Sequence, residues 1–368
     1  MYGQNPPTGR AGIVLRMFLL MKKSKPSRKP PQPKRKRKRN TAATIDDIAA
    51  AAGVSTATVS RFFNTPGMLK SKTAEKVRAA VTARGYVPNL VASELASNRS
   101  KLVAAVIPVV AQSIFNSTIQ ALSDSLAEQG YSVMLGLSGN ADEHLHRQLL
   151  SIIGRRPDGI ILTGPMVDAA ARKLIVSARI PTIETWDLPK NPIDLVVGMS
   201  HEAIGEAVAR HALNRGRRRA LIVSATGPRA LARCLSFSRT MIAGGGHEPL
   251  TVSFSGPTTF GQGRSAIAAQ LDENAAIDLI VCSSDLSAQG AIHELQRRGV
   301  RVPDDIAVIG FGDLNFAAEL TPALTTVKID GALIGKQAVK FLMQRAQGKK
   351  IEHPIVDIGF SLIIRDSG

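Results

Sequence analysis

TIDDIAAAAGVSTATVSRFFN, Thr44 to Asn64, is the stretch that decides the reading of this chain. Thr44-Ile45-Asp46-Asp47 fits a capping box, in which the Thr44 hydroxyl and the Asp47 carboxylate satisfy the first free amides of a helix. Ile45, Ile48, Ala49 and Ala52 then recur at i, i+3, i+4 and i+7 and form one apolar face. Gly53 ends the helix where a left-handed backbone costs little. Val54 plugs the turn and Ser55 caps a second helix over Thr56–Phe63. Val59 with Phe62 or Phe63 faces the first helix. Thr56, Ala57, Ser60 and Arg61 lie on the outer side, free to enter a major groove.

The surrounding residues complete a small unit. Ser71–Arg84 carries apolar residues at Ala74, Val77, Ala80 and Val81, which predicts a third helix closed by Gly85. The all-α domain is therefore expected over 41–85. Tyr86-Val87-Pro88-Asn89 and an Ala/Leu-rich segment, Leu90–Ser97, make 86–100 a linker. On the other side, 1–40 holds 13 Lys/Arg and no Asp or Glu, including the run Lys34–Arg39 behind four prolines in Lys22–Pro33. Such a segment cannot bury enough apolar area to fold and is expected to be a disordered basic extension that attracts phosphates without reading bases. Met17 and Met21 compete with Met1 as the start.

The net charge of +18 is concentrated at this end. Residues 41–100 add 7 basic and 4 acidic side chains, and the remaining 268 residues are nearly balanced, 27 against 25. The apolar stretch Ala11–Met21 is too short to span a bilayer and has no cleavage site after it. A cytoplasmic, nucleoid-associated protein with no membrane partner is expected. Cys234 and Cys282 show neither CxxC spacing nor a ligand cluster, so both read as small buried residues, with no metal and no cofactor.

From Leu102 short apolar runs alternate with amphipathic helices. Leu102–Ile107, Tyr131–Leu137, Gly159–Leu162, Ala220–Val223, Ile277–Cys282 and Ile306–Gly310 read as strands, and Phe115–Gln129 and a segment near His144–Gly154 as helices. Strands apolar throughout and separated by helices indicate parallel sheets covered on both faces. About 270 residues exceed one sheet, so 101–368 is expected to be two doubly wound α/β lobes. Ligands of such folds bind beyond the carboxyl ends of the strands. The candidates at those ends are Phe115, Trp186, Arg233 and Asp285, with Arg229, Thr258 and Thr259 ranked behind them. Arg233 offers a bidentate donor pair and Asp285 an acceptor pair to a polyol, with an aromatic against its chain.

The string Thr44–Asn64 resembles the helix-turn-helix of the lactose/galactose repressor (LacI) family nearly position for position. The match rests on the Gly-Val-Ser turn, the Thr-Val-Ser-Arg of the second helix and the closing Asn64. Phe63 stands where the family more often has leucine. Pro157-Asp158-Gly159-Ile160-Ile161, Val302–Asp313 and Pro322–Val327 match later signatures of the same family, which implies a periplasmic-binding-protein-like second domain for effector binding and dimerisation.

The resemblance implies that Thr56 and Ala57 face base edges and that Arg61 reads one turn on, Arg being suited to guanine O6/N7. Ser55, Thr58 and Asn64 would cap or hold phosphates, and Thr44, Ser60, Tyr86 and Asn89 complete the DNA-binding set. Leu95 matches the leucine of a hinge helix that wedges into the minor groove. Arg233 and Asp285 match effector-contact positions. Glu184–Asp194 and Gly310–Leu320 look like the gluconate-operon repressor branch, which implies a sugar acid as effector.

The expectation is a transcriptional regulator, acting as a homodimer or a dimer of dimers on near-palindromic operator double-stranded DNA. A periplasmic solute-binding protein would share the second domain but would need a secretory signal and lack Thr44–Asn64. An enzyme would need a constellation that is missing from the sequence: there is no nucleophile elbow, no GxxxxGK[ST] and no HExxH. Gly244-Gly245-Gly246 has no strand–GxGxxG–helix context.

Overall fold

The computed structural model describes residues 43–88, 99–109, 113–138, 142–166, 168–273 and 275–368. The basic extension 1–40, Asn89 and Leu95 lie outside the described residues. The chain divides into two compact units with the boundary after Pro88.

In the smaller unit α1 spans Ile45–Ala52, α2 Thr56–Asn64 and α3 Ser71–Arg84. The capping box of α1 forms as the sequence requires: Thr44 Oγ1 accepts from the Asp47 amide, and Asp47 accepts from the Thr44 amide at 2.8 Å. The hydrogen bonds to Thr44 hold the Asp47 carboxyl below its usual range. Gly53, at φ +66°, makes the turn and donates back to the carbonyls of Ala49 and Ala50. Ser55 caps α2 by accepting from the Thr58 amide. Ile48, Ala49, Ala52, Val59, Val77 and Ala80 are buried at the centre, with Phe62, Phe63, Val81 and Tyr86 packed around them. Both phenylalanines therefore belong to the core, Phe62 edge-on to Phe63 and Phe63 against Tyr86.

The larger unit holds two sheets of six strands. The first contains β1 (Leu102–Ile107), β2 (Ser132–Leu137), β3 (Gly159–Thr163), β4 (Thr182–Thr185), β5 (Leu195–Gly198) and, late in the chain, β11 (Ile355–Asp357), in the order β11-β5-β4-β3-β1-β2. The second contains β6 (Ala220–Ala225), β7 (Leu250–Phe254), β8 (Leu279–Cys282), β9 (Ala307–Phe311), β10 (Thr325–Lys328) and β12 (Ser361–Ile363), in the order β12-β10-β9-β8-β6-β7. All pairings are parallel except β10 with β12. The central strands are buried on both faces, which is why they read as unbroken apolar runs.

The helix expected from Phe115 begins one residue later: α4 is Asn116–Glu128, and Phe115 closes a short 3-10 turn ahead of it. Asp142–Gly154 (α5) and Ala169–Ala178 (α6) complete the first lobe. His201–Asn214 (α7), Pro228–Ala243 (α8), Phe260–Asp272 (α9) and Asp285–Arg297 (α10) belong to the second, and Gly331–Ala346 (α11) returns to pack on α4. The chain passes between lobes three times, just before His201, just before Gly331 and between β11 and β12.

Two local devices fix the strand ends. Glu184, fully buried in β4, accepts from the amides of Met166 and Ile193 and so ties two loops to its strand. Gly205 lets α7 lie directly on the backbone of α8, because a Cβ there would overlap the Arg233 carbonyl. Replacing Gly205 by Ala forces the two helices apart, and we expect a loss of about 1–3 kcal/mol of unfolding free energy in urea titration; an unchanged midpoint would show that the contact can relax.

Candidate functional site

In the smaller unit the outer face of α2 is open. Thr56, Ala57 and Arg61 are exposed, Ser60 is half-buried, and Asn64 donates to Ser60 Oγ at 3.2 Å. Ser55 and Thr58 pair through their hydroxyls at 2.9 Å, and Thr44 is occupied by its cap. Tyr86 stacks into the core beside Phe63, so its ring supports the unit. The helix thus presents one short polar side chain and one methyl at its amino end, where the backbone dipole favours an anion, and one guanidinium in its last turn.

The larger unit has a cavity of about 640 Å³ beyond the carboxyl ends of β1, β2, β3, β4, β6, β7, β8 and β9. The structure brings Phe115, Trp186, Arg229, Arg233 and Thr258 to its wall. Phe115 and Trp186 meet edge to face with centroids 5.0 Å apart. Arg229 lies over the Phe115 ring at 5.5 Å and Arg233 over Phe311 at 4.0 Å. Both arginines sit within α8, at its first turn and one turn further on. Gly164, at φ +101°, gives Arg229 its room.

Two expected residues are elsewhere. Asp285 is fully buried, and its carboxylate accepts from Thr326 Oγ1 at 2.6 Å and from the Leu314 amide at 2.7 Å. It is consumed inside the second lobe, where it positions the loop bearing Leu314, and it does not line the cavity. Burial pushes its carboxyl up. Thr259 caps α9 with a capping box to Gln262 and is turned away likewise. Sequence position marks a strand end, but the side chain's direction depends on which partners compete for it.

The electrostatics of the cavity are unusual. Neither Arg229 nor Arg233 makes an ion pair among the described residues, and both are half-buried in the cavity wall. Burial lowers the value of Arg229, and it brings Arg233 down to about 10. The carboxylate that acts on both, Asp187, is itself raised by burial, and it accepts from the Leu188 amide at 2.7 Å. Arg233 Nη1 donates to His201 Nδ1 at 2.9 Å. An arginine only donates, so Nδ1 must be the acceptor and the ring proton sits on Nε2, which donates to the Trp186 carbonyl at 2.9 Å. Burial, and then the charge of Arg233, bring His201 to about 3.

His201 was the residue the sequence did not flag: it opens a helix with no partner at characteristic spacing. Hydroxyls of Ser113, Ser138, Thr163, Thr226 and Ser283 complete the polar lining. The cavity can therefore neutralise an anion, hydrogen-bond a hydroxylated chain and cover it with aromatic rings. Of the cysteines, Cys282 is buried, its thiol pushed up to about 12 by burial, whereas Cys234 is only half-buried. Among the described residues no helix is long and apolar enough to cross a membrane.

Comparison with known proteins agrees with this geometry. Residues 44–89 match the family described as bacterial regulatory proteins, lacI family, and residues 209–368 match a periplasmic binding protein-like domain. The chain is 35% identical to the HTH-type transcriptional regulator GntR of Pseudomonas aeruginosa, over 88% of this chain and 95% of that regulator. The crystal structure of a LacI-family transcriptional regulator from Silicibacter pomeroyi superposes with a TM-score of 0.82 at 28% identity, covering 88% of this chain and 99% of that one. The lac repressor dimer bound to operator and an anti-inducer superposes with a TM-score of 0.76 at 25% identity, covering 89% and 99%.

The neutrality of His201 has a consequence for stability. Its value falls from 6.5 in the unfolded chain to about 3 in the fold, so its contribution is complete above pH 6.5 and is lost as the pH drops below that, when only the unfolded chain takes up the proton. We expect this group to cost about 2 kcal/mol of unfolding free energy between pH 7 and pH 5. Urea unfolding at both pH values should show the loss in the wild type and a smaller one in His201→Phe.

Proposed function

Because the chain belongs to the LacI family of bacterial regulatory proteins and is a helix-turn-helix transcriptional regulator, we propose that it is a cytoplasmic repressor that leaves its operator when a sugar acid occupies the cavity of the larger unit. The observation that carries this reading is the pair Arg229 and Arg233, two half-buried guanidiniums facing a cavity with, among the described residues, no carboxylate bonded to either. A buried cation is costly until it meets an anion, so such a cavity favours a carboxylate over a neutral sugar. The serine and threonine hydroxyls and the Phe115–Trp186 wall suit a hydroxylated carbon chain. This also fits the resemblance of 184–194 and 310–320 to the gluconate-operon repressor branch.

At the other end, Thr56, Ala57 and Arg61 are the proposed base readers, with Leu95 as the minor-groove wedge of a hinge. A homodimer on a near-palindromic operator follows from one reading helix per chain. Exposed apolar side chains support it, namely Leu135 and Leu137 on the edge strand β2, Leu150 on α5, and Leu231, Leu235 and Ile242 on α8. The effector and the operator must oppose each other by one coupling factor.

Operator affinity should fall on addition of D-gluconate and remain unchanged with D-glucose; a panel of sugar acids without effect would sink the effector reading. Arg233→Gln should bind operator but lose that response. Arg61→Ala should weaken specific binding by about 1–3 kcal/mol, roughly 5- to 150-fold, and relax preference at one base pair. Equal losses on operator and on unrelated duplex would instead make Arg61 a phosphate contact.

A further inference from the structure

We propose that His201 is the positioning residue of the cavity: one neutral imidazole, set where the chain crosses between lobes, fixes both the guanidinium that meets the ligand and the aromatic wall beside it. The proposal rests on the reading that the cavity takes an anion.

His201 is the first residue of α7, only 5% exposed. Its Nδ1 accepts from Arg233 on α8 of the second lobe, and its Nε2–H donates to the carbonyl of Trp186, which follows β4 of the first. Trp186 holds a positive φ of +65°, in the region that favours glycine, so the turn must be secured by its partners. The indole Nε1 donates to Thr118 Oγ1 at 3.2 Å, and Thr118 Oγ1 donates to the Gly331 carbonyl at 2.8 Å. Gly331 begins α11 immediately after a second crossing between lobes, and a side chain there would collide with Ser117. A continuous hydrogen-bonded path therefore runs from Arg233 through His201, Trp186 and Thr118 to Gly331, touching two of the three crossings.

The path works with one protonation state only. A proton on Nδ1 would point N–H against N–H at Arg233, and with Nε2 still protonated it would also place two cations side by side. Among the described residues the charged groups acting on His201 are Arg233 and Arg229, both positive, with Asp187 acting on the arginines instead. Arg233 uses one donor on the imidazole and keeps the others for a ligand, and the Phe311 ring supports its face. Arriving at a guanidinium already tied through His201 to Trp186 of the first lobe, the ligand's carboxylate bears on the crossings as well as on the cavity. Sequence spacing gave no hint of this, because Arg233, His201 and Trp186 meet only in the folded chain.

Ring nitrogen NMR of the full chain, isotope-labelled at histidine, tests the proposal without any ligand. The His201 signal, assigned by its absence from His201→Phe or His201→Asn, should show a neutral ring with its proton on Nε2 from pH 8 to below pH 5. In Arg233→Gln the same ring should begin to titrate at least one pH unit higher. Titration of the wild-type ring between pH 6 and 7, or no change in Arg233→Gln, overturns the proposal. Calorimetry with D-gluconate and D-glucose is the second arm. His201→Phe should weaken gluconate at least 10-fold; wild-type affinity in that variant, or an equal loss for glucose, also overturns it. Absence of sugar-acid binding by the wild type would instead overturn the effector reading, and the ring spectra would still decide whether His201 positions Arg233.

Discussion

Two half-buried arginine side chains face the cavity of the larger unit, and among the described residues no carboxylate is bonded to either. Much of the cavity's construction exists to tolerate that. A cation partly shielded from water loses some of its hydration; each guanidinium is covered by an aromatic ring, and one is held by an imidazole that stays neutral. Gly164 and Gly205 remove the side chains that would keep the arginines or their helix at a distance. Asp187 supplies a weak counter-charge through space while spending a hydrogen bond on its own turn. The fold thus holds a site whose electrostatics are left incomplete in the direction of the cavity.

The two sheets serve this arrangement by geometry. Parallel strands point their carboxyl ends the same way, so loops after eight different strands converge on one cavity although they are far apart in sequence. Glu184 and Asp285 act alike in the two lobes: each is a buried carboxylate that accepts from neighbouring groups and fixes the loops beside its strand. Neither lines the cavity. Both show how a doubly wound fold uses acidic residues as internal staples where backbone amides would otherwise be unsatisfied.

The smaller unit follows a different economy. Its core contains few large side chains, so capping and turn chemistry carry a large share of the specification: the Thr44–Asp47 box, the left-handed Gly53 and Gly85, and the Ser55 cap. The two phenylalanines closing α2 fill the space against α3 and Tyr86, which leaves Thr56, Ala57 and Arg61 as the exposed face. That division of labour along nine residues gives α2 one face in the core and one open face.

By itself the sequence determined the elements and their classes, because they depend on local periodicity and on glycine and capping positions that act within one turn. The three helices of the small unit and the strands β1, β2, β3, β6, β8 and β9 needed no tertiary information, whereas short strands such as β5 and β10 emerged only in the folded sheets. Only the folded chain decided which strand-end residues share a cavity. Arg233 and Trp186 reach it, Asp285 and Thr259 do not, and His201 enters it unannounced. The reason is that a side chain's direction is settled by competition among partners brought together over long sequence separations. Asp285 was captured by Thr326 and the Leu314 amide, Thr259 by the first turn of its own helix, and His201 by an arginine 32 residues away. Thr44–Asn64 could be read directly because its partners lie three and four residues apart; the cavity could not, because its partners lie on different strands.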